Sequence, residues 1–162
     1  MDGLLRNMAS IYILNGDKFL LLYRVGSRVV PPSWCGIGGH FEQEELNDAK
    51  AAILREMDEE IGFTERDIEK LSMRYITLRL KNGEVRQNYY FFAHLRNDSK
   101  LPACCDEGEL SWISTDKLPF EDMPHTAKYV LEHYLKYGKN TDLLYAGVSR
   151  KDGVDFHKLC EF

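Results

Sequence analysis

One segment of helical pattern constrains this chain more than any other feature of its sequence. From Asn47 to Ile61 apolar residues recur at helical spacing, Asn47 or Asp48 is placed to cap the start, and Gly62 is placed to end the helix in the left-handed conformation. At about 100° per residue, one side of that helix carries Ala49, Ala52, Ile53 and Met57. We expect that side to face the core.

Three glutamates fall on or beside the same apolar side of the helix. Glu56 is followed by Glu59 and Glu60 at spacings of three and four residues, so their carboxylates converge on one face. Like charges beside an apolar surface repel one another and lose hydration. Either they take up protons or they hold a multivalent cation, for which oxygen ligands favour Mg²⁺ or Mn²⁺. The alternative is a solvated acidic surface paired with lysines and arginines.

The stretch from Arg24 to Phe41 is rich in proline and glycine, and this composition predicts an irregular loop. Within it, Gly38 and Gly39 leave backbone atoms open to close approach by an ion or a phosphate. Arg55, beside the acidic cluster, can pair with Glu59 one turn later. A glycine pair shortly before an acidic helix favours a metal and phosphate site over a solvated surface.

The remaining sequence mixes strand-like and helical segments. The turn sequences Asn15–Lys18 and Lys81–Glu84 each separate two runs of strand formers, which predicts two β-hairpins. A second helix is predicted from Pro124 to Tyr137. The predicted strands cover 8–14, 19–23, 75–80, 85–95, 110–113, 143–148 and 154–159. Because hairpins are interspersed with helices, we expect a mixed sheet with helices on its faces.

Composition limits the classes of protein to which the chain can belong. Its 162 residues, 44% of them hydrophobic, suffice for one core, so we expect a single domain, 1–162. A net charge of −5 without a basic run argues against a nucleic acid polymer as partner. No segment suits a signal peptide or a membrane span, which predicts a cytoplasmic protein that does not bind membranes. Reduced thiols are expected at Cys35, Cys104, Cys105 and Cys160, whose spacing fits neither a metal site nor a disulfide framework.

The stretch from Gly39 to Phe63, GHFEQEELNDAKAAILREMDEEIGF, resembles the Nudix box, GX5EX7REUXEEXGU with U a bulky apolar residue. Its second half matches at every defined position, and Gly39 and Glu45 fit the first half. Nine residues, 46–54, stand where the box has seven. We expect the extra two in the turn before the helix, since an insertion inside it would rotate the glutamates away. Glu45 is then expected to be a partner of Arg55.

Ahead of the box, the segment Trp34–Gly39 (WCGIGG) resembles the WNGxGG segment of MutT-like Nudix enzymes, which hydrolyse oxidised purine nucleoside triphosphates. In those enzymes the asparagine helps to recognise the base. Here Cys35 replaces it, and a thiol is a poor substitute for an amide that both donates and accepts hydrogen bonds.

The resemblance implies an α/β/α sandwich around a mixed sheet, and a pyrophosphohydrolase that uses Mg²⁺ or Mn²⁺ to cleave the diphosphate linkage of a nucleotide. The metal ligands expected from it are the Gly39 carbonyl and the carboxylates of Glu56, Glu59, Glu60 and Glu107. The expected catalytic residues are Glu56, Arg55 and Glu59, the last as a ligand or the base. The expected substrate-binding residues are Arg24, Cys35, Gly38 and Asn88. Tyr90 and Phe92, on the same strand face as Asn88, either line a base pocket or belong to the core.

A nucleoside triphosphate, converted to its monophosphate and pyrophosphate, is the first substrate prediction. ADP-ribose, a nucleotide sugar or a dinucleotide is the alternative. A regulatory module that binds a nucleotide without turnover is a further alternative, disfavoured by the complete REMDEE segment. The C-terminal extension, 143–162, lies outside the usual core of the family and either covers the sheet or builds a homodimer contact.

Overall fold

The computed structural model describes residues 2–25, 31–97, 102 and 105–162, and within them it forms eight strands and two α-helices. The strands are β1 (Leu4–Asn15), β2 (Lys18–Arg24), β3 (Ser33–Cys35), β4 (Ile68–Lys81), β5 (Glu84–Leu95), β6 (Gly108–Ser114), β7 (Leu144–Arg150) and β8 (Gly153–Leu159). The helices are α1 (Ala49–Ile61) and α2 (His125–Lys136). Each strand and helix predicted from the sequence is present, and most boundaries differ by up to four residues, but β4 begins seven residues before its predicted start at Tyr75, and β3 was not predicted.

All eight strands belong to one sheet, whose order is β3-β2-β1-β5-β4-β7-β8, with β6 paired to β2. The pairs β1–β5 and β4–β7 are parallel, and the other pairs are antiparallel. The sheet is therefore mixed, as predicted. β6 follows β2 along its whole length, while the other edge of β2 is shared between β1 and β3.

Each face of the sheet is covered by one helix. Along β1, Ile11 and Ile13 pack in the layer of α1, whereas Tyr12 and Leu14 pack in the layer of α2, as the two-residue period of a strand requires. The helices contribute Ala52, Ile53, Met57 and Ile61 to the first layer and Ala127, Val130, Leu131 and Tyr134 to the second. Full burial of one such large side chain contributes roughly 1.5–3 kcal/mol. The fold is the α/β/α sandwich expected from the sequence.

The stretch predicted to be an irregular loop is in part regular, and that prediction is corrected here. Residues 33–35 form β3, and the glycine segment 36–41 runs antiparallel beside β1. Ala9 N donates to Gly39 O at 2.9 Å, and Ile11 N donates to Ile37 O at 2.8 Å. This pairing satisfies the backbone groups of β1 where β2 no longer lies beside it. The part of the predicted loop at 26–30 lies outside the described residues.

Helix α1 is continuous through the acidic segment. Its N-cap, Asp48, accepts a hydrogen bond from Ala51 N at 2.9 Å, and Gly62 ends it with a φ of 67°. The residues before it form a single 3-10 turn at Gln43–Glu45 and then a short connection. The extra residues of the box therefore lie ahead of the helix, as predicted, and the spacing of the glutamates is preserved.

The C-terminal extension prolongs the sheet. β7 pairs with β4, and β8 forms the edge beyond it. Buried Arg74 joins β4 to the connection between α2 and β7, where its guanidinium donates to the carbonyls of Gly138 (2.8 Å), Leu143 (3.1 Å) and Thr141. Of the helices in the described ranges, neither combines the length and the apolar character needed to cross a membrane.

Candidate active site

The Arg55 guanidinium is the hydrogen-bonding centre of the acidic segment. Its Nε and Nη2 donate to the two carboxylate oxygens of Glu45 at 2.7 and 2.9 Å, a bidentate pair. Its Nη1 donates to Glu56 Oε1 at 2.8 Å and to Glu59 Oε2 at 3.0 Å, and its Nη2 also reaches the His40 carbonyl at 3.0 Å. One side chain thus fixes the start of the box, the helix and the glycine segment relative to one another.

Glu45 is the buried partner that orients this arginine. Its carboxylate also accepts the Glu42 N–H at 2.9 Å, and the residue is only 8% exposed. The hydrogen bonds from Arg55 lower the pKa of Glu45, and those to Glu45 raise the pKa of Arg55. Both groups are therefore charged at neutral pH, and the expected pairing of Glu45 with Arg55 is present.

Glu56 lies directly against Gly39. A Cβ on Gly39 would stand 2.7 Å from both carboxylate oxygens of Glu56, so only glycine leaves room for them. Burial raises the pKa of Glu56, and the hydrogen bond from Arg55 opposes that rise. The negative charges of Glu59 and Glu107 raise it further, which places these carboxylates near one another.

Glu60 and Glu107 meet on the Arg24 guanidinium, at the end of β2. Arg24 Nη2 lies 2.6 Å from Glu60 Oε1, 2.9 Å from Glu107 Oε2 and 3.2 Å from the Gly38 carbonyl. Gly38 N donates to the other oxygen of Glu60 at 3.1 Å. Burial raises the pKa of Glu60 to about 7 against the effects of Arg24 and the Gly38 N–H, and the charges of Glu107 and Glu56 add to the rise.

The expected metal ligands differ in their exposure to solvent and in their hydrogen-bond contacts. The side chains of Glu56 and Glu60 are 12% and 6% exposed, whereas that of Glu59 is 58% exposed and reaches Arg55 at the rim. The Gly39 carbonyl accepts the Ala9 N–H, while the Gly38 carbonyl faces Arg24. The structure thus groups Glu56, Glu60 and Glu107 around the glycine pair, with Glu59 at the side.

Comparison of the sequence with known protein families identifies the family of this chain. The sequence profile of the NUDIX domain matches residues 4–134 of the chain, most of its length. The chain belongs to the Nudix family. Among curated proteins, none matches it in sequence.

Solved Nudix structures share the fold. A MutT Nudix hydrolase from Burkholderia pseudomallei has 25% sequence identity and a TM-score of 0.65, with 79% of this chain and 96% of that one covered. A MutT protein from Methanosarcina mazei Go1 has 24% identity and a TM-score of 0.67, with 86% and 99% covered. A bifunctional NMN adenylyltransferase/ADP ribose pyrophosphatase from Francisella tularensis has 16% identity and a TM-score of 0.63, with 82% and 41% covered. This protein is accordingly a Nudix hydrolase.

The donor set of this Nudix site fits a hard divalent cation. Within the described part of the chain, no three acidic, histidine or cysteine side chains stand in ligand geometry, and arginines pair with the carboxylates. Arg24 Nη2 nevertheless has three oxygens within 3.2 Å, the surroundings that a cation requires. The oxygens nearest to Arg24 Nη2 belong to Glu60, Glu107 and Gly38, and burial raises the pKa of both Glu56 and Glu60, so a dication fits the chemistry of the site. The thiols of Cys35 and Cys105 also lie near these charged groups, and burial raises the pKa of both.

The expected substrate residues divide between the two faces of the sheet. Cys35 is on the α1 side, where its thiol donates to the Leu22 carbonyl at 3.5 Å and burial raises its pKa to about 11. Asn88 is on the α2 side, where its Nδ2 donates to Tyr90 Oη at 3.1 Å. Tyr90 and Phe92 belong to the buried core. Cys35 and Asn88 therefore do not share one pocket wall.

One element of the site escaped the sequence analysis. Arg24 was expected to contact phosphate, but its pairing with Glu60 and Glu107 was not anticipated. Glu60 is 36 residues away along the chain, and only the strand order brings it close. The usable signal was the period of β2, which puts Arg24 on the same side as Leu22, facing α1.

Proposed function

We propose that this Nudix hydrolase uses Mg²⁺ or Mn²⁺ to cleave the diphosphate linkage of a nucleotide, with a nucleoside triphosphate as the first substrate candidate. The observation that carries the proposal is the grouping of Glu56, Glu60 and Glu107 around Gly38 and Gly39. Burial penalises the ionised forms of Glu56 and Glu60, and a dication among them would offset that penalty.

The proposed ligands are Glu56, Glu60 and Glu107, with a backbone carbonyl. The Gly39 carbonyl already accepts one N–H, so one of its lone pairs remains free. The Gly38 carbonyl shares Arg24 Nη2 with Glu60 and Glu107. A bound divalent ion supplies charge neutralisation on phosphate oxygens and acidifies water. Glu59 stays in the proposal as a ligand or the base, because Arg55 holds its carboxylate beside that of Glu56.

Arg24 has a role in this proposal both before and after a metal ion binds. Its Nη2 binds the oxygens of Glu60 and Glu107, and its Nε is buried without an acceptor among the described residues. If those two carboxylates bind an ion instead, the guanidinium becomes free to donate to a phosphate. The hydrogen bond from Gly38 N would still hold Glu60 in position, and the one from Arg55 would still hold Glu56.

A second candidate substrate is ADP-ribose, a nucleotide sugar or a dinucleotide. Cys35 supports it, because this thiol is neutral, already bonded to the Leu22 carbonyl, and lacks the amide that reads an oxidised base. The Francisella neighbour whose title includes an ADP ribose pyrophosphatase shares the fold only. We further propose that residues 1–162 form one domain that acts in the cytoplasm.

The test is a panel of nucleoside triphosphates, nucleotide sugars and dinucleotides, incubated with Mg²⁺ and followed by phosphate release and mass spectrometry. Glu56→Gln and Glu60→Gln should each reduce turnover at least 100-fold, and calorimetry should show weaker Mn²⁺ binding. Glu132→Gln, an exposed substitution of the same kind on α2, is the matched control. Equal turnover by the variants and the wild type would refute the assigned roles, and a wild type that binds nucleotides without turnover would favour the regulatory module.

A further inference from the structure

Three arginines lie side by side on the sheet. In the register of the strands, Arg6 of β1 is opposite Arg86 of β5, and Arg86 is opposite Arg79 of β4. Each is an even number of residues from a tyrosine that packs under α2: Tyr12, Tyr90 and Tyr75. The arginine row, Arg6, Arg86 and Arg79, therefore lies on the α2 side of the sheet, near the start of β1 and β5.

This arrangement is unfavourable for folding. Like charges directly opposite one another in a sheet destabilise it. The carboxylate of Glu84 forms ion pairs with two of the three guanidinium groups. Its Oε1 lies 3.1 Å from Arg6 Nε and 2.9 Å from Arg86 Nε. Within the described ranges Arg79 has no ion pair at all. The row thus keeps an excess of positive charge in a chain whose net charge is −5.

An unmet hydrogen-bond acceptor lies beside the row. Asn88 is two residues from Arg86 on the same face of β5, about 6.6 Å along the strand. Its Nδ2 donates to Tyr90, but its buried Oδ1 has no donor among the described residues. A buried acceptor without a donor destabilises the protein, so a ligand N–H or O–H would be favourable there.

The row also adjoins the catalytic glycine segment. Met8, next to Asn88 in the sheet, forms a β-bridge with His40, the residue after Gly39. On β1 the row begins at Arg6, two residues from Met8, so it lies close along the strand to the segment at which we place the diphosphate.

We propose that the substrate carries a second phosphoryl group, away from the diphosphate that is cleaved, and that the arginine row binds it while Asn88 Oδ1 accepts from a hydroxyl or amino group. This inference rests on the proposed function and narrows its substrate class. Guanidinium groups bind phosphate through paired N–H donors, and adjacent arginines can share its charge. The expected substrate is a nucleotide with an additional phosphate on its nucleoside part.

The test compares ligands that differ by one phosphoryl group. Calorimetry would measure Kd for adenosine 3′,5′-bisphosphate against AMP, coenzyme A against its dephospho form, and NADPH against NADH. In at least one pair the phosphorylated member should bind the wild type tenfold or more tightly. Arg79→Gln and Arg86→Gln should each abolish that preference, whereas Arg66→Gln, an exposed arginine near the other end of the β4–β5 hairpin, should retain it.

Two results would overturn the inference: equal affinity within all three pairs, including no binding of any member, or a preference that survives in both row variants. Circular dichroism and thermal melts of each variant establish that it is folded before its affinity is compared. Failure of the proposed function is a different observation, because it would appear as no Mg²⁺-dependent cleavage of any nucleotide by the wild type.

Discussion

Two neighbouring glycines in the active site should respond in opposite ways to the same substitution. In Gly39→Ala the new Cβ would stand 2.7 Å from the carboxylate oxygens of Glu56, closer than van der Waals contact allows. The atoms it meets are the end of a side chain, so Glu56 can move by several tenths of an ångström at a cost below about 1 kcal/mol. Displacing a reacting group by about 1 Å costs roughly 100-fold in rate. We therefore expect a folded protein with 30- to 100-fold lower kcat/KM.

Gly38→Ala meets backbone instead of a side chain. Its Cβ would stand 2.0 Å from the Ala9 carbonyl oxygen, and the φ of 144° is a conformation that residues with a Cβ rarely adopt. Relieving that clash separates the glycine segment from β1 and breaks the bonds at Ala9 and Ile11. Backbone strain of about 1–3 kcal/mol adds to this effect. We therefore expect the free energy of unfolding to fall by at least about 3 kcal/mol.

The stability of Gly38→Ala and Gly39→Ala is measured by urea denaturation, and their activity by kinetics on the best substrate of the panel. Gly39→Ala should unfold at nearly the wild-type urea concentration, and its Mn²⁺ affinity should fall together with its activity. Gly38→Ala should unfold at a much lower concentration. The roles assigned to these two glycines would be refuted if Gly39→Ala were as active as the wild type, or if Gly38→Ala were as stable as the wild type.

Three further predictions concern groups outside the glycine pair. Glu45→Ala leaves the Arg55 fork without its buried partner and should lower the free energy of unfolding by about 3 kcal/mol; a loss under about 0.5 kcal/mol by urea titration would contradict the pairing. Burial lowers the pKa of His133 in the folded state, so its contribution to stability is complete above the unfolded value of about 6.5 and is lost as the pH falls from there through the lower folded-state pKa. Replacement by Gln should flatten the pH dependence of urea midpoints between pH 8 and 5, and an unchanged slope would argue against this. Iodoacetamide at pH 7.5 should modify exposed Cys160 well before half-buried Cys35, as peptide mass spectrometry can follow.

The sequence was sufficient to predict the elements that short-range patterns encode. Helix α1 is one of these, since its cap at Asp48, its apolar side and the glycine at its end all lie within one continuous segment. The glycine segment is the contrasting case. Its composition predicts a loop, yet it pairs with β1 because the partner strand β2 turns to pair with β3 instead. Such pairing depends on residues far apart in the sequence, which local composition does not encode.

The site shows the same division between local and distant information. Glu45, Glu56 and Arg55 lie within one box, and their contacts follow the pattern that the box predicts. Glu59 and Glu60 are adjacent in sequence, but the helix turns one toward solvent and buries the other, so spacing alone overestimated how closely the three glutamates converge.

The distribution of arginines explains how a buried acidic site is compatible with a stable fold. Arg55 pairs with the carboxylates of Glu45 and Glu56 from the helix, and Arg24 pairs with those of Glu60 and Glu107 from β2, so each arginine offsets part of the negative charge. The two arginines differ in how firmly they are held. Arg55 has acceptors on all three of its nitrogens, whereas Arg24 uses one nitrogen and leaves its buried Nε without an acceptor among the described residues. We therefore expect Arg24 to be the cation that a metal ion can replace at low cost, and we expect removal of Arg55 to disorder the glutamates.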